Sequence, residues 1–458
     1  MKQIFQKGSL VIFVLIFGGV FLISFGGVLS FLLFQHKLSL EKAAYEESLH
    51  IAEAGIDFAK WHINHWPNDF SFSGIYNYKN TSGDIIGYYQ LSIEEETACS
   101  PGIKIISTGW TNDFPDRKRA VKITLMKNSI TSYAFLSNSN IWFGENEAVK
   151  GPSHSNGGIR MDGSQNALST SAKDTYLCGE EHGCSPPQEK PGIWGEGPGK
   201  DLGLWEFPVS PIDFDSISND LAYLKNEAKT RGIYLPNLGL GYYLHFNSDG
   251  TLDVYKIKKL KQKVWGYNGE DWVHESNDFD TVELYATYSL PSNCGPIFVE
   301  DNVWIDGTIN GRATVVAAKL PETPNTMKKI IINGNIDYAG INSVLGLIAQ
   351  KDIVIPLYAP DDLTVKAAMM AQNGRVIRYY YPWWYAPYNL RNSIKIEGSI
   401  ITNKTWTFTW VDETGKIISG YKNTEMSYRP NLAYNPPPYF PATGNYRIVK
   451  WEEVKVSE

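Results

Sequence analysis

Residues Gly8 to Phe34 form one uncharged run, GSLVIFVLIFGGVFLISFGGVLSFLLF, and nothing else constrains the chain as strongly. A helix of about 20 apolar residues crosses a hydrocarbon core of about 30 Å. It also satisfies its own backbone polar groups inside lipid. Lys2 and Lys7 precede the run, and Glu41, Glu46, Glu47 and Glu53 follow it. That asymmetry predicts a single-pass membrane protein with a cytoplasmic N-terminus and the long remainder exported. The alternative is a cleaved secretory signal, whose apolar core spans roughly 7–15 residues before a small-residue cleavage site. This run is longer, and no such site follows it.

The whole chain has 458 residues, enough for two or three domains. Its formal net charge is −7 and it has no basic stripe, which argues against nucleic acid as a partner. Aromatic residues make up 13%, and the exported part is rich in Val, Ile, Thr and Tyr, a composition that favours strands. The expected fold class is α+β, mainly β. Cys99, Cys178, Cys184 and Cys294 read as disulfides outside the membrane, with three possible connectivities. An exported location motivates the pairs Cys178–Cys184 and Cys99–Cys294.

The helix is expected to continue past the membrane. Leu38 to Trp66 contains no proline, and Pro67 ends the run. Tyr45, Leu49, Ala52, Ile56, Ala59, Ile63 and Trp66 form a narrow apolar stripe with a period near 3.5. The stripe needs a surface to lie on. A coiled-coil homodimer is one solution, but the run is short and two of its positions are Ala. Ile86–Glu94, Ile103–Trp110 and Arg119–Met126 read as strands, with Asn112-Asp113 and Pro115-Asp116 supplying turn chemistry. A helix packed on an antiparallel meander is the simpler burial solution.

The short basic leader ending in Gly8, the membrane helix and the AEAGIDFA stretch (Ala52–Ala59) resemble the type IV pilins, and among them the PilX-like minor pilins. The STGW segment (Ser107–Trp110) fits the same pattern. The resemblance covers residues 1 to about 128. It implies cleavage by a prepilin peptidase between Gly8 and Ser9, and partners among other pilins and inner-membrane pilus assembly proteins. One position departs from the pattern: Phe13 stands where major pilins usually carry the Glu that registers subunits. The segment GPSHSNGGIRMDG (Gly151–Gly163) is similar to one that follows the pilin unit in some large PilX-like surface proteins.

A loose repeat runs through the rest of the chain. It reads IRMDGS at Ile159–Ser164, VWIDGTI at Val303–Ile309, IIINGNI at Ile330–Ile336 and IKIEGSI at Ile394–Ile400. A second motif interleaves at Ala313–Ala317, Leu347–Ile355 and Met369–Ile377, with Ala-Gln pairs 22 residues apart at 349–350 and 371–372. That spacing suits one coil of a parallel β-helix, in which each rung buries its apolar face by stacking on its neighbours. Glycine would take a positive-φ corner between two short strands. Hairpins in a sandwich remain open, because Asn-Gly and Asp-Gly mark those too. Between the first repeat and the others, Asp215–Lys229 reads as a helix capped by Ser216 or Ser218. Tyr242–Ile257 reads as a hairpin turning at Ser248-Asp249-Gly250, and segment 178–204 as loop. The C-terminal NPPPYFPATGNY (Asn435–Tyr446) reads as an extended strap over the body.

No constellation in the sequence assembles catalytic chemistry. His154 reads as a turn residue bonding its own loop. Cys178, His182 and Cys184 are spaced for metal, but structural zinc wants four ligands, and a local disulfide explains the cysteines. Asp301, Asp306, Asp361 and Asp362 read as solvated turns. No cofactor and no metal are expected. The segment Tyr379–Tyr388, YYYPWWYAPY, is the unusual one. Such a loop stacks on surface glycans, fills a protein interface, or folds back over the body. Trp383, Trp384 and Tyr385 are its contact candidates.

The expected organisation is a leader at 1–8, a membrane helix at 9–34 and a pilin-like helix and sheet at 35–128. A β-solenoid-like domain follows at 129–458, with an insertion at about 205–290. The expected role is that of a non-enzymatic minor pilin or pilin-like component of a type IV filament system, acting in assembly, tip structure or adhesion. Two rivals stand beside it. One is a membrane-anchored β-helix protein that binds carbohydrate or protein and does not polymerise. The other is a polysaccharide-active enzyme.

Overall fold

The structure is a computed structural model, and it describes residues 8–67, 69–99, 101–217 and 220–456. The chain packs as two compact units. Among the described residues, the first spans 8–96, 102–126 and 446–456, and the second spans 97–101 and 127–445.

The first unit is built on one helix, α1 (Gly8–His65), of 58 residues. At 1.5 Å per residue it is about 87 Å long. Its large apolar residues from Leu10 to Phe34 are all exposed. The helix is long and apolar enough to cross a membrane by length and composition. Its C-terminal half lies on an antiparallel sheet made of β1 (Gly74–Lys79), β2 (Ile85–Glu94), β3 (Ile103–Thr111) and β4 (Arg119–Ser129). A fifth strand, Ala442–Val454, completes the order beside β4. The expected strands are present. The sequence reading did not include β1 or the C-terminal strand.

The buried face of α1 differs from the expected stripe. Ala52, Ile56, Ala59 and Ile63 are buried as expected, but Tyr45 and Trp66 are exposed, and Ser48 and Ile51 are buried in their place. Small residues explain the difference, because they let the helix backbone approach the sheet. A Cβ on Gly55 would meet the Tyr89 ring and the Ser107 hydroxyl. A Cβ on Gly109 of β3 would meet the backbone of Ser48 and Ala52. Ser48 Oγ sits 2.7 Å from both the Ala44 and the Arg117 carbonyl oxygens. Ile103, Ile105, Val121, Ile123 and Leu125 meet the helix from the sheet side. At the edge, Arg119 donates to both carboxylate oxygens of Glu453 at 2.7 and 2.8 Å, and to Glu46 at 2.9 Å.

The second unit is mainly β, and most of its strands pair in parallel with strands far away in sequence. In the longest series, neighbours run Trp205–Glu206, Ser169–Ser171, Ser153–Ser155, Phe135–Ser137, Leu390–Thr402, Asp362–Ala371, Val344–Ala349, Arg312–Ala317, Ile297–Val299 and Ile233–Leu235. Chain order is not stacking order. The chain enters in the middle at Phe135, which pairs with Ile400, and works outward to Glu206. It then restarts at the far end with Ile233 and returns to Thr402. A second series runs Tyr242–Phe246, Val303–Ile309, Ile330–Tyr338, Ile353–Ile355 and Val376–Arg378. A third joins Ile141–Phe143, Ile159–Met161 and Ile193–Trp194.

The repeats map onto these pairings unevenly. Ala349 pairs directly with Ala371, so the 22-residue spacing joins adjacent strands. Val303 pairs with Ile330, placing VWIDGTI beside IIINGNI. IKIEGSI instead lies inside the single strand Leu390–Thr402 and pairs with Leu363–Met369. Of the four repeat glycines only Gly307 has the expected positive φ, +107°, and it lies inside the strand Val303–Ile309 rather than at a corner between two strands. Gly398 serves close approach: a Cβ there would run into the Ala367 carbonyl oxygen on the neighbouring strand.

Inward residues of all three series form one core, from Phe135 and Phe143 through Ile305, Ile332 and Leu347 to Ile396 and Phe408. The longest series also buries its outer face, where Phe298, Val316, Ile348, Met370, Ile401 and Leu136 form a second cluster. The helix Leu221–Arg231 covers it with Leu221, Leu224 and Ala228, joined by Leu432 and Phe440. That helix is shorter than expected and is capped by Asp220, whose carboxylate accepts from Tyr223 N at 3.0 Å. A carboxylate at the N-cap also suits the helix dipole. Ser218 lies outside the described residues. The Pro-rich segment crosses this face: Arg312 Nη2 donates to Pro436 O at 2.7 Å, and Thr314 Oγ1 donates to Pro438 O. Residues 178–204 are not all loop, since Thr175–Cys178 and Gln188–Pro191 pair as a small antiparallel hairpin. Tyr242–Phe246 and Thr251–Leu260 form the expected hairpin, extended by Phe279–Ser289.

Candidate contact surface

The aromatic segment divides into a buried base and an exposed tip. Arg378, fully buried, anchors it by donating to the carbonyl oxygens of Pro356, Leu357 and Tyr388, the last at 2.7 Å. Burial holds that guanidinium below its ordinary range. Tyr379 and Tyr381 pack inward. Tyr379 OH donates to Glu275 at 2.8 Å, and Lys329 Nζ donates to both groups, at 2.9 and 2.6 Å. Burial, with the Glu275 charge, pushes the Tyr379 phenol well up. At Glu275 burial pushes upward, but the Lys329 ammonium and the hydrogen bonds from Lys329 and Tyr379 outweigh it and hold the carboxyl below the usual range. Beyond Pro382, a 3-10 turn at Trp383–Tyr385 turns outward. Trp383 is 75% exposed and Trp384 55%.

Next to this tip lies a hairpin that the sequence reading missed, Val264–Tyr267 paired with Trp272–Glu275. Its turn is local chemistry: Asn268 Oδ1 accepts from Glu270 N at 2.9 Å and Asp271 N at 2.8 Å, and Gly269 has φ +94°. Asn-Gly between alternating aromatics, WGYNGEDW, was the available signal. Alternation splits the hairpin into two faces. Val264 and Val273 pack toward Tyr379 and Tyr381, and Gly266 lies against both tyrosine rings. Trp265, Tyr267, Trp272 and His274 take the other face. Trp265 pairs with His274, stacked at 4.8 Å, and Tyr267 with Trp272 at 6.0 Å.

Two links fix the hairpin to the aromatic segment, and a third ties its turn to Arg375 and Lys404. Tyr267 and Tyr380 exchange two backbone hydrogen bonds of 3.0 Å. Trp265 N donates to Tyr385 OH at 2.8 Å. Glu270 at the turn accepts from Arg375 at 2.8 Å and Lys404 at 2.7 Å. The hydrogen bond from Lys404 and the Arg375 charge hold the Glu270 carboxyl below its usual range against a smaller push from burial.

The other candidates are held by local partners. Asp301, fully buried, accepts from Leu238 N, Gly239 N and Lys328. Asp306 meets Tyr243, His245 and Asn333. Asp361 accepts from Asn392 N, and Asp362 from Asn392 and Ser393. His154 is a buried strand residue rather than a turn residue, bonded to Thr170 at 2.8 Å and Asn156 at 3.0 Å. Cys178–Cys184 and Cys99–Cys294 are disulfides, so neither Cys178 nor Cys184 offers a thiolate beside His182. Among the described residues no three His, Cys, Asp or Glu side chains converge as a metal site. An open depression of about 680 Å³ bounded by Leu290, Arg312 and Ile341 carries Arg312 as its one charged lining residue. Gly8 and Ser9 stand in the first turn of α1, and residues 1–7 lie outside the described residues.

No protein-family model matches the chain, and no curated protein matches it. Among solved structures it is similar to the competence-associated pilin ComZ from Thermus thermophilus, at 14% identity and a TM-score of 0.28, over 90% of this chain and 97% of that one. A likeness that slight carries no weight for fold or function.

Proposed function

We propose that the chain is a pilin-like, single-pass membrane protein that carries a large β-helix on its extracytoplasmic side and serves a type IV filament system as a minor, non-enzymatic component. One observation carries this reading: α1 is a single helix whose outer half packs on an antiparallel sheet while its inner half leaves every large apolar residue exposed. Exposed apolar surface of that extent needs lipid or other apolar helices around it. Both suit a subunit that waits in a membrane and then joins a helical filament core. In this reading a prepilin peptidase cuts between Gly8 and Ser9, and other pilins and inner-membrane assembly proteins are the partners.

The β-helix reading is supported by the parallel series, by the Ala349–Ala371 pairing of neighbouring strands and by the inward apolar residues of successive strands, which share one core. The non-enzymatic reading is supported by the candidates His154, Asp301, Asp306, Asp361 and Asp362, each of which is taken up by local bonds. Trp383 and Trp384 then serve as exposed contact residues, with Tyr385 bracing them against the hairpin.

Shearing filaments from cells and probing both fractions for this chain tests the proposal. Recovery with filaments is expected. Recovery only in membranes, in cells with abundant filaments, would replace it with the second reading, a membrane-anchored binding protein that never polymerises, which the aromatic surface independently favours. Recovery as a soluble secreted protein lacking residues 9–34 would refute both.

A further inference from the structure

We infer that the open depression walled by residues 290–294, 310–312 and 340–343 of the second unit is a binding site for an aliphatic monocarboxylate, whose charged group Arg312 receives. The site goes beyond the filament reading and does not depend on it.

The walls are fixed before any ligand arrives. Cys294 is bridged to Cys99, and its N–H donates to Pro291 O at 2.9 Å. On the opposite side Ser343 N donates to Gly340 O at 3.1 Å, and Arg429 grips the same turn by donating to Ile341 O at 2.6 Å and Ser343 O at 2.9 Å. Gly311 N donates to Ser343 Oγ at 3.2 Å, which leaves the Ser343 hydroxyl proton to donate onward. Gly250 and Gly311 have φ of +90° and +127°, and a Cβ on either would meet nothing nearer than 3.5 Å, so their backbone stays open to a ligand. The enclosed volume of about 680 Å³ is that of an ordinary small-molecule site. Little ordering remains to be done on binding.

Charge decides what the depression attracts. No carboxylate lines it, and Arg312 is its one charged lining residue. Arg312 Nη2 donates to Pro436 O at 2.7 Å, Nε is buried without a partner, and Nη1 is neither buried nor bonded among the described residues. Burial with no compensating carboxylate pulls this guanidinium down to about 10 from 12.5. Arg429 behind the turn likewise meets carbonyl oxygens and the Tyr338 ring rather than an acid. Positive potential therefore collects here although the chain's net charge is −7. A guanidinium already stripped of water gains from an anion that the free Nη1 can reach, because much of its desolvation is already done. The uncharged wall sets the rest of the ligand. Leu290, Pro291 and Ile341 supply aliphatic surface and no aromatic ring lines the site. One cation beside an aliphatic wall suits one carboxylate on an aliphatic body, either the C-terminus of an apolar peptide or a free short-chain acid.

The test titrates the full chain, held in phosphatidylcholine nanodiscs with empty discs as the blank. The probes are N-acetyl-alanyl-valyl-leucine with a free C-terminus, the same peptide amidated, and hexanoate. Saturable binding of the free-acid peptide or of hexanoate is expected, with a Kd below about 1 mM. Which of the two binds tells a peptide terminus from a free acid. The amidated peptide should bind at least about tenfold more weakly than the free acid, and Arg312→Gln should lose at least about tenfold for whichever acid binds. Ile341→Asp, at a position 82% exposed, sets a like charge at the rim and should weaken binding at least about threefold. Leu177→Asp, 66% exposed and not among the lining residues, should leave binding unchanged. If Arg312→Gln does not fold, Ile341→Asp against Leu177→Asp decides alone. Failure of both acids to bind, equal binding of the amidated peptide, or unchanged affinity in Ile341→Asp overturns the inference. So does inorganic phosphate that competes as well as the bound acid, because the site then reads charge alone. None of these readouts depends on cleavage at Gly8 or on filaments.

Discussion

Gly109 sits where the helix–sheet argument can be broken by one methyl group. It lies inside β3, two residues before its end, where strand preference alone favours Ala or Val over Gly by up to about 1 kcal/mol. The structure predicts the opposite sign. A Cβ at Gly109 would meet the Ser48 carbonyl oxygen and the Ala52 nitrogen, both backbone atoms of α1, which cannot rotate away. The helix would have to lift from the sheet over Ile51, Ala52 and Ile56, all buried. Overpacking of this kind costs roughly 1–3 kcal/mol. Gly55→Ala is the matched control. Its new Cβ would meet the Ser107 hydroxyl and the Tyr89 ring, which are side chains and can shift, although a helical Gly→Ala change itself gains up to about 1 kcal/mol. Hydrogen exchange on the detergent-solubilised full chain, read by mass spectrometry over peptides 44–63 and 103–111, measures the local opening free energy. Gly109→Ala should lower it by roughly 1–3 kcal/mol and Gly55→Ala by clearly less. Unchanged protection in Gly109→Ala, or the reverse order, would refute the close-approach account.

Other outcomes follow from single features. Tyr381→Ala should cost roughly 3–5 kcal/mol in melting experiments, because a fully buried ring is removed, whereas Trp383→Ala should change stability by less than about 0.5 kcal/mol. Loop-entropy arithmetic gives the Cys99–Cys294 bridge, which spans 195 residues, roughly 5 kcal/mol, and the Cys178–Cys184 bridge, which spans 6, roughly 2 kcal/mol. Paired Cys→Ser variants should melt in that order, and alkylation of the native protein should find no free thiol. Burial, against smaller pulls from Lys261 and Arg378, pushes the Asp278 carboxyl up to about 6 from 3.8. A raised folded-state value means stability that is present below 3.8 and lost as pH rises through 6. Subtracting the Asp278→Asn melting profile from the wild-type profile should show that loss between those limits, and a flat difference would remove the assignment.

Legibility followed the range of the interactions. The three central strands of the first sheet were readable because each alternates in a short window, as in Val121, Ile123 and Leu125. The strand Ala442–Val454 was not, because its place beside β4 is set by a pairing more than three hundred residues away. The helix stripe was half right. Hydrophobicity finds Ile56 and Ile63, but Ser48 and Gly55 are buried for fit, and small residues give no periodic signal. The Ala-Gln spacing identified a true pairing, whereas IRMDGS and IKIEGSI share their form with the other repeats and pair elsewhere. Similar local strings do not choose their partners, and only long-range pairing decides which strands become neighbours. At the contact surface, Trp383 and Trp384 were visible as composition. Their backing was not, since it joins residues 264–275 to residues 379–385 across a stretch of chain that carries other strands.

The mature N-terminus, read by intact-mass and N-terminal peptide mass spectrometry on protein from cells with an active prepilin peptidase, tests the central claim most directly. A chain beginning at Ser9, with the Leu10–Phe34 helix retained, is the predicted result. A chain still carrying Met1–Gly8, or one beginning beyond Phe34, would contradict it.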